Sequence, residues 1–111
     1  MCEFKVLVEG EKRAVAVDVV KAKYEGGKLL LVDVLGSATP VEGAMVSELD
    51  VGREELVLLK HPLLAPVIEF VHEYLKCESI GLYDSRLDEL WERVKSEGET
   101  ALERLKKTCR A

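Results

Sequence analysis

The sequence predicts an α+β protein, with a small antiparallel β-barrel-like domain in residues 1–61 and an α-helical hairpin in residues 62–111. Two observations support this prediction. Short β-rich runs separated by turn residues recur up to about residue 60, a pattern typical of small barrels and curled sheets. From Pro66 onwards, apolar residues recur instead at the spacing of an amphipathic helix.

Alternation and glycine predict the first strands. Residues Phe4–Val8 place apolar side chains at every second position, which predicts a strand with one buried face. Asp18 interrupts the next extended run and is interpreted as a bulge or a break. Gly26-Gly27 predicts a two-residue hairpin, since glycine readily adopts positive φ. The apolar run Leu29–Leu35 predicts a strand buried on both faces, or covered on one face by a second copy.

The remaining β-rich segments are shorter. Residues 36–40 are predicted to form a loop, residues 45–51 a strand, Gly52-Arg53 a turn, and residues 56–59 the last strand. This order completes the predicted barrel-like domain.

The helical hairpin is predicted from its breaks and its apolar spacing. Pro66 suits the first turn of a helix, Ser79-Ile80-Gly81 ends that helix, and Asp84 or Ser85 caps the next one. The side chains predicted to point inward are Val67, Phe70, Val71, Tyr74 and Leu75 in the first helix, and Leu87, Leu90, Trp91, Val94, Ala101, Leu102 and Leu105 in the second.

Charge and composition narrow the class of function. The net charge is −5 and both halves carry more acidic than basic residues, which argues against nucleic acid as a partner. No apolar run is long enough to span a membrane and no secretion signal is recognised, so a cytoplasmic protein without a membrane partner is predicted. The chain contains no Asn and no Gln. This is typical of proteins from hot-living organisms, with chance in a short chain as the alternative.

Cys2 is the main candidate for chemistry. Its small size favours enzymatic removal of Met1, which would leave a free α-amine beside the Cys2 thiol. The amine and the thiolate would then close a five-membered chelate ring on a metal, and the backbone amide of Glu3, if deprotonated, would add a nitrogen. Such donor sets suit square-planar nickel(II) or copper(II). The alternative is an incidental cysteine near the terminus.

The opening Met1-Cys2-Glu3-Phe4-Lys5-Val6 resembles the start of the small CooT-type nickel-binding proteins. The resemblance continues in order and spacing through Asp18-Val19-Val20, Glu25-Gly26-Gly27-Lys28, Asp33-Val34-Leu35-Gly36, Val41-Glu42-Gly43-Ala44 and Glu48-Leu49-Asp50-Val51. It ends near residue 60, since members of this family typically stop close to the position of His61.

The resemblance implies that Cys2 binds nickel(II) at the interface of a homodimer of small β proteins. It also implies an accessory role, as a metallochaperone or nickel store, in nickel insertion into a client enzyme such as carbon monoxide dehydrogenase. Family members have also been described as RNA-binding. Residues 62–111 have no counterpart in the resemblance, so they are predicted to cover the site, to bind a client or to extend the dimer.

Weaker candidates and other functions stay open. Lys21, Lys23 and Lys28 could form an RNA-binding patch, although the solvated face of a hairpin is the simpler interpretation. The helices of residues 62–111 could act as a protein-binding adaptor. No phosphate-binding glycine motif and no nucleophile elbow is present, which predicts that the chain is not an enzyme.

Two further features concern the other histidines and cysteines. His72, Glu73 and Cys77 lie close in sequence, but their spacing is poor for a chelate on one helix face. Cys77 and Cys109 are interpreted as two reduced cysteines, with a disulfide between them as the alternative.

Overall fold

The computed structural model describes residues 3–109, which form six strands followed by two helices. The predicted α+β class is therefore confirmed. The chain divides between Ala65 and Pro66 into two compact units. The strands are β1 (Phe4–Val8), β2 (Ala14–Glu25), β3 (Lys28–Asp33), β4 (Ala38–Glu42), β5 (Ala44–Asp50) and β6 (Glu55–Lys60), and the helices are α1 (Leu64–Ile80) and α2 (Arg86–Thr108).

The six strands form one sheet in the order β4-β3-β2-β1-β6-β5. In the described part of the chain the edge strands β4 and β5 do not pair, so the barrel is not closed. The sheet still curls, because the single residue Gly43 connects these two edges. The pair β1–β6 is parallel, unlike the antiparallel pairing predicted for the whole domain. These strands are distant in sequence, and no hairpin dictates their relative direction.

Alternation along the strands builds the core of the first unit. Val6 and Val8 of β1, Leu29 and Leu31 of β3, and Leu56 and Leu58 of β6 are buried. In β3 only alternate residues are fully buried, so the predicted burial of both its faces is not complete. The buried cluster consists of Val6, Val19, Leu29, Leu31, Val41, Ala44, Leu56 and Leu58.

Two local predictions in the β unit are confirmed. Asp18 has a φ of 57°, and the register of β2 shifts beside it on both neighbouring strands, which is a bulge. Gly26 and Gly27 both have positive φ and connect β2 to β3, with Glu25 opposite Lys28.

The first part of β4 lies where the sequence predicts a loop, and this prediction is wrong. Residues 38–40, placed in the predicted loop, begin β4, which pairs with β3 through Leu30 opposite Pro40. Proline usually marks a loop, but an edge strand tolerates it because one row of N–H groups needs no partner there.

The ends of both helices have specific stabilising contacts. Gly81 ends α1 with a φ of 71°, and its N–H donates to the carbonyl of Cys77 at 2.8 Å. Of the two predicted caps of α2, Asp84 makes the side-chain contact, since its Oδ1 accepts the N–H of Arg86 at 2.9 Å. Ser85 makes no such bond. The bond from the Arg86 N–H lowers the pKa of Asp84.

Ion pairs and a narrow buried stripe characterise the helical unit. Arg93 pairs with Glu69 at 3.0 Å, and Arg86 lies 3.8 Å from the buried Glu73. Leu87 and Leu90 are buried as predicted. Several residues predicted to be inward are about half exposed instead, because two helices alone bury only a narrow stripe: Val71, Tyr74, Leu75, Trp91, Leu102 and Leu105. Within residues 3–109, neither helix is long and apolar enough to cross a membrane.

Gly98 lies in the middle of α2, and we expect its replacement by alanine to stabilise the chain. A Cβ there meets no atom within 4 Å, and the residue has no positive φ that would oppose a side chain. Gly98→Ala should therefore raise the free energy of unfolding by about 0.5–1 kcal/mol, which thermal denaturation followed by circular dichroism would measure. A loss of stability would show that this glycine is needed for a contact.

Candidate metal centre

The structure places one of the two predicted metal-site residues. Cys2 lies outside the described residues, and Glu3 is the first described residue of the chain. The N–H of Glu3, which belongs to the peptide group joining Cys2 to Glu3, donates to Oε2 of Glu54 at 3.1 Å. Glu3 is thus held by a residue far away in sequence.

The parallel pairing of β1 with β6 brings these residues together. Lys5 lies opposite Glu55, and the N–H of Lys5 donates to the carbonyl of Glu54 at 2.9 Å. Glu54 therefore accepts two hydrogen bonds from the start of the chain, one through its side chain and one through its backbone. This arrangement fixes Glu3 against the turn between β5 and β6.

Glu54 has an unusual backbone conformation for its residue type. Its φ is 51°, in the left-handed region that glycine adopts without strain and that glutamate rarely adopts. Its N–H donates to the carbonyl of Val51 at 3.2 Å, and Oδ1 of Asp50 accepts the N–H of Arg53 at 3.0 Å. These bonds hold the turn in the shape that directs Glu54 towards Glu3.

The neighbouring carboxylate of Glu55 has different partners. It lies 3.8 Å from the ammonium of Lys5 and 3.4 Å from the guanidinium of Arg53. Both nearby cations therefore contact Glu55, whereas Glu54 contacts the backbone of the N-terminal segment. The two adjacent glutamates thus have separate structural roles.

Sequence reasoning missed Glu54. Its position depends on the pairing of strands about fifty residues apart, and no local pattern predicts such pairing. The predicted turn at Gly52-Arg53 lies at the correct place in the sequence. The residue of positive φ in that turn is nevertheless Glu54. A run of two glutamates before an apolar strand carries no signal for this contact.

The weaker candidate clusters do not form a metal site. Among residues 3–109 there is no group of three or more His, Cys, Asp or Glu side chains placed to hold a metal ion. His72 is exposed, whereas Glu73 is buried beside Arg86. Nδ1 of His61 accepts the N–H of Leu63 at 3.0 Å and so contributes to the end of the strand region.

The other cysteines and the lysine group have ordinary environments. Cys77 is buried, Cys109 is exposed, and both thiols are free, in agreement with the interpretation of two reduced cysteines. Lys21, Lys23 and Lys28 are exposed on the β2–β3 hairpin, and Lys23 lies 3.9 Å from Glu25.

Comparison with known proteins finds a family match in the first unit of the chain. The family model described as CO dehydrogenase accessory protein CooT matches residues 1–59, which is more than half of the chain. The chain belongs to the CooT family. The resemblance noted in the sequence is thereby confirmed over this span. CooT is an accessory protein, so the prediction that the chain is not an enzyme is also confirmed.

A crystal structure assigned to CooT from Carboxydothermus hydrogenoformans is similar to this chain. The identity is 19%, the match covers 54% of this chain and 98% of the other, and the TM-score is 0.48. A search of curated proteins found no match. The CooT model does not extend into residues 62–111, which contain both helices.

Proposed function

We propose that this CooT-family chain is a nickel-binding accessory protein, acting as a metallochaperone or nickel store for a nickel-enzyme client in the cytoplasm. The observation that carries the proposal is the family match over residues 1–59, which includes Cys2 and the Glu3 that Glu54 holds. In this proposal residues 1–61 form the nickel-binding domain. Residues 62–111 form an added domain that contacts the client or a second copy.

The chemistry of the N-terminal donor set fits nickel(II) as cargo. A thiolate with an adjacent amine gives a sulfur and a nitrogen in one chelate ring, and the amide of Glu3 is the next nitrogen along the chain. The amine exists only where Met1 has been removed. The Cys2 thiol and the ammonium form of its α-amine must both lose a proton to bind the metal, so nickel affinity should fall as the pH is lowered.

A homodimer would complete the proposed site, because two chains with adjacent N-termini supply two thiolates. Exposed apolar side chains on the strand unit support this part of the proposal. Met45 of β5 and Leu59 of β6 lie opposite each other and are both about 40% exposed. Other exposed apolar side chains of the same unit are Val17, Val20, Leu35 and Leu49. A second copy is the partner that this proposal assigns to the exposed pair Met45 and Leu59.

We expect Cys2→Ser to raise the dissociation constant for nickel at least about tenfold, because a hydroxyl is a much poorer ligand than a thiolate for this metal. The measurement is a nickel titration of the full chain, in which calorimetry and the thiolate-to-nickel absorption band both detect binding. Mass spectrometry of the same sample identifies the N-terminal residue, so that chains retaining Met1 are analysed separately.

Cys109→Ser is the matched control, since it removes an exposed thiol at the far end of α2. It should bind nickel like the wild type. Equal nickel affinity of Cys2→Ser and the wild type would contradict the proposed function. No contact of the described residues favours the RNA-binding alternative, and the pairing of Lys23 with Glu25 weakens the basic patch that it requires.

A further inference from the structure

We propose that the helical unit binds a second copy of this chain through an apolar stripe on α2, with the two α2 helices antiparallel and crossing at Gly98. The inference goes beyond the proposed function, because it does not involve nickel. It chooses the second copy from the two partners given there for residues 62–111. The stripe contains Trp91, Leu102 and Leu105, which are all about half exposed in the chain.

The positions of the apolar residues in α2 are symmetrical about Gly98. Trp91 lies seven residues before Gly98 and Leu105 lies seven residues after it. Val94 and Leu102 lie four residues before and after the same glycine. Steps of four and seven residues keep all of these positions on one face of a helix.

This symmetry makes the stripe complementary to itself. When two α2 helices pack antiparallel about a two-fold axis at Gly98, Trp91 of each copy lies at the level of Leu105 of the other. Val94 lies in the same way at the level of Leu102. A two-fold dimer requires such a surface, since the same residues serve both partners. An unrelated client would require no symmetry of this kind.

The charges at the two ends of α2 favour the same arrangement. The first turn contains the acidic residues Asp88 and Glu89, and the last turn contains the basic residues Lys106 and Lys107. In the antiparallel pair, Asp88 lies within one helical turn of the level of Lys106 of the second copy. A parallel pair would instead bring like charges together at both ends. Charge complementarity therefore selects an antiparallel second copy.

The helical hairpin separates its own ion pair from this stripe. Arg93 extends from the other side of α2 to Glu69 of α1, with 3.0 Å between nitrogen and oxygen. Trp91 packs instead against Phe70 of α1, with the ring centroids 5.7 Å apart. The ring of Tyr74 follows at 6.3 Å from that of Phe70 and is half exposed. The stripe thus continues onto α1 as an aromatic cluster, and aromatic side chains are frequent anchors of protein interfaces.

Gly98 permits a direct test, because a residue on the two-fold axis meets its own copy. Packed helices lie about 8–10 Å apart and their Cα atoms lie about 2.3 Å from each axis, so two facing Cα atoms come within about 6 Å. A disulfide forms at Cα separations of about 4.4–6.8 Å. A Cβ at Gly98 meets no atom within 4 Å and no positive φ opposes it, so Gly98→Cys fits the chain.

The test compares Gly98→Cys with Ser96→Cys in the full chain. Both variants also carry Cys2→Ser and Cys109→Ser, so that the buried Cys77 is the one other thiol. Oxidised glutathione accepts the two electrons released when two thiols form a disulfide. Gly98→Cys should become mostly covalent dimer, and Ser96→Cys should give at least about tenfold less, because Ser96 is exposed on the opposite side of α2. Non-reducing electrophoresis and mass spectrometry measure the yield.

A second pair of variants tests the stripe itself in the Gly98→Cys chain. Leu102→Asp places a carboxylate without a partner in the proposed interface, so the yield of covalent dimer should fall at least about tenfold. Leu102 is more than half exposed in a single copy, so circular dichroism should show an unchanged fold. Thr100→Asp adds the same charge on the opposite side of α2 and should leave the yield unchanged.

Equal yields from Gly98→Cys and Ser96→Cys would overturn the inference, and so would an unchanged yield in Leu102→Asp. A dimer detected by light scattering that does not cross-link at residue 98 would reject this interface and leave the strand unit as the contact between copies. The cross-linked chains carry Cys2→Ser, so their result does not depend on nickel. The nickel titration of the wild type and Cys2→Ser decides the proposed function separately.

Discussion

Gly43→Ala is expected to lower the free energy of unfolding by about 3 kcal/mol. Gly43 is the single residue between β4 and β5, and its φ is 63°. A Cβ at this position would lie 2.7 Å from the carbonyl oxygen of His61 and 3.3 Å from its carbonyl carbon. These are backbone atoms. They cannot move away easily, because the N–H of His61 donates to the carbonyl of Gly43 at 2.8 Å.

Gly26→Ala separates the two causes of the lower stability of Gly43→Ala, which are the positive φ and the close approach of the new Cβ to His61. Gly26 has a nearly equal φ of 58°, but a Cβ there meets nothing within 4 Å. Its replacement should therefore lower the free energy of unfolding only through the unfavourable positive φ, by about 1–2 kcal/mol. Urea unfolding followed by circular dichroism gives both values by linear extrapolation. Equal losses in the two variants would mean that the approach to His61 has no energetic consequence.

Local rules predicted the parts of the fold that depend on neighbouring residues. The alternation from Phe4 to Val8 gave β1, and the paired glycines Gly26-Gly27 gave the β2–β3 hairpin. The bulge at Asp18 was also predictable, since a short polar side chain tolerates a positive φ within an apolar run. In each case the deciding interaction lies within a few residues of the pattern.

Long-range features were not predictable from these patterns. The parallel pairing of β1 with β6 joins distant segments, and it alone brings Glu54 to Glu3. Residues 38–40 of β4 are predicted to lie in a loop because Pro40 is judged by local propensity, whereas the place of β4 at the edge of the sheet is a tertiary feature. Cys2 and Glu3 stay predictions from sequence chemistry, whereas the contact between Glu54 and Glu3 is visible in the structure alone.

The helices show a different limit of sequence reasoning. Their periodicity predicted both elements and the break at Gly81, but it predicted too wide a buried stripe. Tyr74 and Leu102 have the correct spacing and are still half exposed. Hydrophobic spacing identifies an apolar face, and the number of elements that cover the face decides how much of it is buried.

Leu58→Ala is expected to be the other strongly destabilising change, lowering the free energy of unfolding by about 3–4 kcal/mol. Leu58 is completely buried in β6, where it lies opposite Val8 of β1 and Val46 of β5. Both neighbouring strands contribute to the buried cluster or border it, so the cavity left by alanine cannot collapse without moving the sheet.

The adjacent Leu59→Ala is the matched control for this core substitution. Its side chain is 40% exposed and points to the opposite face of the same strand, so its truncation should cost less than about 1.5 kcal/mol. Urea unfolding of the two variants under identical conditions measures the difference. If Leu59→Ala lowers the free energy of unfolding as much as Leu58→Ala does, the second face of β6 is also covered in solution. That result would agree with the proposed homodimer, whose dissociation on dilution should then lower the stability of the wild type.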